Sequence, residues 1–311
     1  MLNKKSRLLK ALPVAGLLLA PAAFAQLPPE EYYHSGSSGV GSLVDTTQMA
    51  GAISQSVLTP FFMPQFRRDE EQPTTLLSSD FTFNSLLRYE RRDFKKLDDV
   101  YYDRYGLTLH GSFEAAEKLP IDILIPIDNI NYSGPDGLRP SDYTRLGLAV
   151  TPRYMLMNQA DHGIDLGLGL GGLYYHDFVE HGDDQDRVGL APLVSLRKDF
   201  ESFAVAGGAM FQRDWNLSGD EHPNGESYLD TAKVGFNVGI PLGDRVVLNT
   251  HCTYNYLLDM PSEIDPDFFT VGAGLTWLLQ DNWTLDLNVQ TDLDSNEYRN
   301  WEAMTGLIWS F

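Results

Sequence analysis

The chain has 311 residues, of which 43% are hydrophobic and 21% are charged, and its formal net charge is -20. An acidic excess of this size disfavours nucleic acid as a partner, because the phosphate backbone is itself anionic. A single cysteine, Cys252, excludes an intramolecular disulfide. The composition resembles that of a soluble globular protein, and the length allows one large domain or two smaller ones.

Residues 1–25 have the three parts of a secretory signal peptide. A basic region is followed by a short apolar stretch, and Ala23-Phe24-Ala25 supplies a small-x-small cleavage site, so the mature chain should begin near Gln26. The apolar stretch is too short to span a bilayer as a helix, and no later segment offers the ~20 apolar residues that a spanning helix needs. Any membrane crossing must therefore be made by strands, and strands cross lipid only as a closed barrel.

Residues 26–77 form an N-terminal extension whose pattern predicts one short helix. The helix would run from Val44 to Leu58, with Asp45 or Thr46 as its N-cap and Thr59-Pro60 after its last turn. Two hypotheses for the extension remain open. It could enter the barrel from the periplasmic side as a plug, or it could be a periplasmic arm that is disordered or docks a partner.

From residue 78 to residue 311, apolar and polar residues alternate in about twelve segments, each as long as a tilted transmembrane strand. The segments lie near residues 78–90, 104–116, 119–130, 143–156, 163–176, 187–198, 201–213, 229–242, 245–258, 267–279, 282–293 and 300–311. An even strand count is the rule for single-chain bacterial barrels. We therefore predict an all-β fold, a closed antiparallel transmembrane β-barrel.

The connections between the segments alternate between short and long, as in barrels with short periplasmic turns and longer extracellular loops. The long connections are rich in Asp, Gly and Pro and hold most of the excess acid. Such a rim should concentrate cations and repel anions. Asp183, Asp184 and Asp186 offer the oxygen atoms that Ca²⁺ prefers, although the chain has no calcium-loop motif and a solvated acidic loop is the more ordinary interpretation.

Alternation also predicts which side chains face the lumen. The charged candidates are Arg88, Glu90, His110, Glu114, Asp122, Arg145, Arg153, Asp165, Lys233, His251, Asp286 and Glu302. Their mixed signs allow two interpretations: an electrostatic constriction that orients polar solutes, or ion pairs that close the lumen. Many other inward positions are Gly or Ala, which leaves space for water and solute or for a protein segment, unless glycine only relieves curvature.

The last segment alternates up to a terminal aromatic residue, with Trp301, Trp309 and Phe311 on one side of an extended strand. With the signal peptide and the twelve-strand alternation, this ending resembles that of Gram-negative outer-membrane β-barrel proteins. The resemblance covers residues 78–311 and indicates no subfamily. It implies that Trp309 and Phe311 belong to a signal read by the barrel-assembly machinery, and that outer-membrane lipid and lipopolysaccharide surround the barrel.

Two pairs of side chains resemble catalytic pairs of outer-membrane enzymes. His110 and Ser112 have the spacing of the His and Ser of outer-membrane phospholipases. Here, however, Leu109 takes the lipid face and turns His110 inward. Asp220 and His222 have the spacing of the Asp-His pair of omptin proteases, but no second acidic pair accompanies them. We therefore expect no catalytic residue, no metal site and no cofactor.

These observations favour an outer-membrane channel or transport protein for passive passage of small solutes, with selection by bore and lumen charge. The alternative is a structural or surface-interaction barrel with a closed lumen, whose loops or N-terminal arm bind a partner. An outer-membrane hydrolase is the third candidate. We expect a monomer.

Overall fold

The computed structural model describes the backbone of residues 45–49 and 52–57, and then residues 81–94, 99, 101–116, 118–134, 142–157, 159–180, 184–200, 202–217, 228–243, 245–258, 267–280, 283–293 and 298–310. The predicted signal peptide and its cleavage site lie outside these residues, as does Phe311. No helix in the described part of the chain is long and apolar enough to cross a membrane.

The described residues form fourteen strands and one helical turn. They are β1 Asp45–Met49, β2 Ala52–Val57, β3 Phe81–Phe94, β4 Tyr101–Ala116, β5 Leu119–Ser133, β6 Tyr143–Met157, α1 Gln159–His162, β7 Asp165–Val179, β8 Gln185–Asp199, β9 Ala204–Asn216, β10 Tyr228–Pro241, β11 Val246–Leu257, β12 Asp267–Gln280, β13 Trp283–Leu293 and β14 Tyr298–Ser310.

Strands β3 to β14 form a closed antiparallel barrel in which each strand pairs with its neighbours in the chain. The first and last strands close the ring, with Arg88 opposite Met304 and Glu90 opposite Glu302. The predicted fold class, a closed barrel of about twelve antiparallel strands, is confirmed. Every backbone donor and acceptor in such a ring has a neighbouring strand to pair with, which is the condition for crossing lipid.

The two ends of the barrel differ in their connections. At the end we call the short-turn end, connections such as residues 117–118 and 281–282 join the strands. Lys118, with φ of 65°, adopts the left-handed backbone that tight hairpins use. At the other end, the long-loop end, several strands run beyond their predicted limits. Phe94 and Val179 end strands that were expected to stop near residues 90 and 176, so the loops are shorter than predicted.

The predicted helix over residues 44–58 is wrong. Strands β1 and β2 pair there as an antiparallel hairpin, with Asp45 opposite Val57 and Gln48 opposite Ser54. Branched residues such as Thr46 and Ile53 favour strands because their side chains are restricted in a helix, and Gly51 between the two strands favours a tight turn. Cα atoms of β2 lie within 8 Å of Cα atoms of β10. The plug and arm hypotheses for the extension both stay predictions.

The outer surface of the barrel is apolar. Side chains such as Leu87, Leu168, Val234 and Val289 are about half exposed and point away from the barrel axis. Soluble proteins rarely expose apolar surface of this extent, whereas a membrane-spanning barrel requires it. Exposed Tyr and Trp side chains lie near the strand ends, among them Tyr105, Tyr154, Tyr174, Trp277 and Trp301, as in the aromatic girdles of membrane barrels.

Candidate functional site: the barrel lumen

The structure describes eleven of the twelve charged side chains predicted to face the lumen; that of Glu114 lies outside the described part. All eleven are buried and lie on the face opposite to the apolar exterior: Arg88, Glu90, His110, Asp122, Arg145, Arg153, Asp165, Lys233, His251, Asp286 and Glu302. The alternation places them there because successive side chains of a strand point to opposite faces.

Glu90 is the centre of an ion-pair network in the half of the lumen nearer the long loops. Arg92 Nη2 lies 2.6 Å from Glu90 Oε1, and the hydroxyl of Tyr102 donates to the same oxygen at 3.0 Å. Arg104 Nη1 lies 3.5 Å from Glu90 Oε2, while its Nη2 donates to Asp128 at 2.7 Å. The network thereby connects the inward faces of three strands, β3, β4 and β5.

A second set of contacts extends this network across the junction of β3 and β14. Arg88 Nε lies 2.5 Å from Glu302 Oε1, and Gln290 Nε2 donates to Glu302 Oε2 at 2.6 Å. Arg92 Nη2 also lies 3.7 Å from Asp292 of β13. The strands that close the barrel are therefore joined by side chains inside the lumen as well as by backbone hydrogen bonds.

Further ion pairs lie on β6, β7 and β8. Arg145 donates two hydrogen bonds to Asp177, at 2.7 and 2.6 Å, in the bidentate geometry that favours guanidinium and carboxylate. Arg187 approaches the same carboxylate at 3.8 Å. The rings of Tyr143 and Tyr175 flank the Arg145 guanidinium, with centroids 5.3 and 5.4 Å from it. Cation–π attraction adds to the pairing at these distances.

The predicted His110–Ser112 pair lies inside the barrel beside another ion pair. His110 Nε2 is 3.2 Å from Asp122 Oδ1, and Arg153 Nη2 is 2.7 Å from Asp122 Oδ2. Ser112 is buried on the same side. The pair therefore faces the lumen, as expected from the lipid-facing position of the adjacent Leu109. Asp220 and His222 lie outside the described residues.

Sequence reasoning missed nine further charges of the lumen. Arg92, Arg104, Asp128, Asp177, Arg187, Arg197, Asp199, Asp214 and Asp292 also belong to the inward face. Some occupy strand ends that were assigned to loops. The alternation of each strand could have identified these residues. Arg92, for example, follows Arg88 and Glu90 at every second position of β3 and therefore faces the same side.

Two walls of the lumen differ in charge. The inward faces of β13, β14 and β3 to β8 carry the ion pairs described above, and we call them the paired wall. The inward faces of β9 to β12 form the neutral wall. Their buried polar side chains are mostly amides and hydroxyls: Gln212, Thr231, Asn237, Asn249, Thr253, Asn255, Thr270 and Thr276. Among the described inward residues of the neutral wall, Lys233 is the sole lysine or arginine.

Several polar atoms of the neutral wall have no hydrogen-bond partner in the described structure. They are Thr231 Oγ1, Lys233 Nζ, Asn249 Oδ1, His251 Nδ1 and Asn255 Oδ1. Other atoms of the same residues are bonded: Asn249 Nδ2 donates to Thr276 at 2.6 Å, and His251 Nε2 contacts Gln290 at 3.0 Å. The unpartnered atoms are themselves buried, so other atoms cover them in this structure.

Part of the space that the glycines were expected to leave open is occupied by side chains from adjacent strands. The ring of Tyr175 lies where a side chain at Gly147 would be, 2.7 Å from an added Cβ. At Gly169, the side chains of Arg153 and Leu193 occupy the corresponding space. Apolar side chains add a buried cluster that includes Leu173 and Leu193, and tyrosines form another near the long loops. Glycine here allows large neighbours to pack along the wall.

The two remaining predicted carboxylates are also buried. Asp286 accepts a hydrogen bond from Thr276 Oγ1 at 2.7 Å, and Asp165 lies at the start of β7 near the short-turn end. The described residues contain no group of three or more His, Cys, Asp or Glu side chains with the geometry of a metal site.

Comparison with known proteins places the fold among bacterial outer-membrane barrels. The sequence matches no protein-family profile and no curated protein. The translocator domain of the autotransporter NalP from Neisseria meningitidis is similar in structure, with a TM-score of 0.56 at 11% identity over 75% of this chain and 89% of that one. An outer membrane channel from Pseudomonas putida F1 gives 0.53 at 12% identity, over 79% of this chain and 100% of that one. The beta domain of the Bordetella autotransporter BrkA gives 0.52 at 14% identity, over 75% and 100%.

Proposed function

We propose that the protein is an outer-membrane channel that provides a narrow path for passive passage of small polar solutes. The closed barrel, its apolar exterior and its polar interior support a location in the membrane. One of the barrels with the same fold is an outer membrane channel. The passage needs no covalent step, because solutes are selected by the bore and by the charges that line it.

The observation that carries this proposal is the set of unpartnered polar atoms on the neutral wall. A buried donor or acceptor without a partner costs about 1–3 kcal/mol. Water or a polar solute would remove that cost where it displaces the atoms that now cover these groups. Thr231, Lys233, Asn249 and Asn255 have such atoms at several levels along β10 and β11. Because the ion pairs of the paired wall hold its side chains in place, the path would follow the neutral wall.

The paired wall would set the bore. Its arginines and carboxylates are held by short contacts, such as that between Arg104 and Asp128 at 2.7 Å, so that they form a stiff boundary of alternating charge. Tyr102 and Tyr298, both buried near the long loops, narrow the lumen further. A solute that passes would be small, and the acidic loops would raise the local concentration of cations at the mouth.

A structural or surface-interaction barrel is the alternative, and one observation favours it. Inward residues as small as Ala191 and Ala204 are 0% exposed, so other atoms cover the wall at these points. A lumen that stays filled would carry no solute, and the loops or the N-terminal extension would then supply the function by binding a partner.

Planar-bilayer recordings separate the two functions. Mature protein beginning at Gln26 and a shorter version beginning at Thr74 would be refolded, and the heat-dependent mobility shift of folded barrels in SDS gels would verify folding. Discrete conductance steps in either protein would support a channel. Steps in the shorter protein alone would identify the extension as a plug. If neither folded protein conducted ions, the result would contradict the passage of solutes and favour the structural role.

A further inference from the structure

We infer that Lys233 is a binding and selectivity site in the lumen for small solutes that carry a single carboxylate and several hydroxyl groups. This inference rests on the proposed channel function and deepens it, since it names the class of solute. It starts from a contrast between Lys233 and the arginines that share the lumen.

Every other described lysine or arginine of the inward face has a carboxylate within 4 Å. The pairs are Arg88–Glu302, Arg92–Glu90, Arg104–Asp128, Arg145–Asp177, Arg153–Asp122, Arg187–Asp177 and Arg197–Asp199. Lys233 has none. It is only 1% exposed, and its Nζ has no hydrogen-bond partner in the described structure. A buried cation without a partner is costly, whereas an anionic ligand beside it would remove that cost.

The acids that act electrostatically on Lys233 are Asp214 and Asp292, and both are engaged elsewhere. Gln212 Nε2 donates to the two oxygens of Asp214 at 2.8 and 2.7 Å. Asp292 accepts hydrogen bonds from Tyr298 at 3.0 Å and from other neighbours. Lys233 therefore keeps its own hydrogen-bonding capacity for a ligand. Two carboxylates at longer range also limit the negative charge that the site tolerates, which favours monoanions.

The surroundings of Lys233 suit hydroxyl groups. Asn255 lies opposite Lys233 on β11, and Thr231 precedes it by two residues on the same face of β10. Asn255 Oδ1 and Thr231 Oγ1 are both buried without a partner, and each can accept a hydrogen bond from a solute hydroxyl. Neighbouring strands lie ~5 Å apart and alternate residues of a strand ~7 Å apart, which matches the spacing of groups along a short sugar chain.

Two glycines lie beside Lys233 on the inward face of the barrel. Gly235 follows Lys233 by two residues on the inward face and lies opposite Gly208 of β9. Neither residue has a side chain to fill the lumen at that level. The site thus combines one cation, two hydrogen-bond acceptors and two glycines. Because Lys233 is 1% exposed, a polyhydroxy monocarboxylate would enter the site by displacing the atoms that cover it.

The test compares D-gluconate with D-glucose, which has similar size and no charge. Liposome swelling would give the relative permeability of the two solutes for wild type, for Lys233→Gln and for Lys198→Gln, a control on the exposed outer face of β8. We expect Lys233→Gln to lower the gluconate-to-glucose ratio by about fivefold and Lys198→Gln to leave it unchanged. A ratio that is equal in all three proteins would overturn the inference.

A binding measurement separates failure of the site from failure of the channel. The unfolding temperature of the detergent-solubilised barrel would be followed with and without D-gluconate. Stabilisation of wild type by gluconate, absent in Lys233→Gln, would support the site even if the liposomes did not swell, and would then refute only the passage. Swelling without gluconate-specific stabilisation or selectivity would refute the site and leave the channel in place. A lower unfolding temperature of Lys233→Gln without ligand, with unchanged selectivity, would show a purely structural lysine.

Discussion

The paired wall and the neutral wall of the lumen are built from the same alternating strands, yet they satisfy their polar groups in different ways. On the paired wall, Arg104 and Asp128 meet at 2.7 Å across neighbouring strands, and the other buried arginines also have a carboxylate within 4 Å. On the neutral wall, Asn255 and Thr231 keep acceptor atoms without partners. The difference indicates that ion pairs stabilise one wall, whereas hydrogen bonds between amides and hydroxyls, such as those of Asn249 and Asn255, stabilise the other.

The largest expected effect comes from removing the centre of the ion-pair network. Glu90→Leu would leave Arg92 and Arg104 without a carboxylate that both contact. Removing one member of a buried ion pair costs about 3–5 kcal/mol. We expect a loss of that order in the free energy of unfolding, measured by urea titration of the folded barrel in lipid vesicles. A loss below about 1 kcal/mol would remove the structural distinction between the two walls.

A smaller loss should follow from filling a glycine position of the paired wall. Gly147→Ala would place its Cβ 2.7 Å from the ring of Tyr175 and from Pro126, and overpacking of this kind costs about 1–3 kcal/mol. Gly172→Ala is the matched control, because only the backbone oxygen of Val150, at 4.0 Å, lies near an added Cβ there. Equal unfolding free energies for the two variants would show that the lumen has more space than the side chains indicate.

Two threonines of the lumen allow a direct comparison of partnered and unpartnered hydroxyls. Thr276 donates to Asp286 at 2.7 Å, so Thr276→Val should lower the free energy of unfolding by about 1–3 kcal/mol. Thr231 Oγ1 has no partner, so Thr231→Val should be neutral to within about 0.5 kcal/mol. If that hydroxyl contacts water in the path, the same variant should lower single-channel conductance. Equal destabilisation by both variants would contradict the distinction between partnered and unpartnered hydroxyls.

The smallest effect is expected outside the lumen. Arg91 pairs with Asp93 on the outer face near the long loops, at 3.3 Å, and the two side chains are 36% and 58% exposed. Exposed ion pairs contribute about 0–1 kcal/mol. Arg91→Gln should therefore change the unfolding free energy by less than Glu90→Leu, although the two residues are adjacent in the sequence. A comparable loss for both would mean that burial does not distinguish the two ion pairs.

Alternation in the sequence was enough to predict the twelve strands and the inward position of residues such as Arg88 and Glu302. It was not enough to predict which charges meet. Ion pairs between strands depend on register, and register depends on turn geometry that the apolar pattern does not encode. Arg104 and Asp128, for example, are 24 residues apart in the chain and become neighbours only through the pairing of β4 with β5.

Two errors of prediction have local causes. Arg92 and Asp177 were predicted to lie in loops because charged residues at strand ends resemble loop sequence. Both nevertheless continue the inward–outward alternation of their strands. The helix expected near Val44 was inferred from apolar spacing and a possible N-cap. The branched residues of β1 and β2 and the glycine between them were the stronger signal, since an isolated short helix is marginal in stability.

The junction between β14 and β3 has a consequence for how the protein acquires its structure. Asn300 donates a hydrogen bond to Glu90 across 210 residues of sequence, so this junction has the longest-range contacts of the described barrel walls. Contacts between residues so far apart form late, because the chain must first be ordered over the intervening length. Arg88 and Glu302 belong to the same junction. Before closure their charges have no partners, and an open sheet that entered lipid would expose them. Insertion and ring closure should therefore be coupled steps.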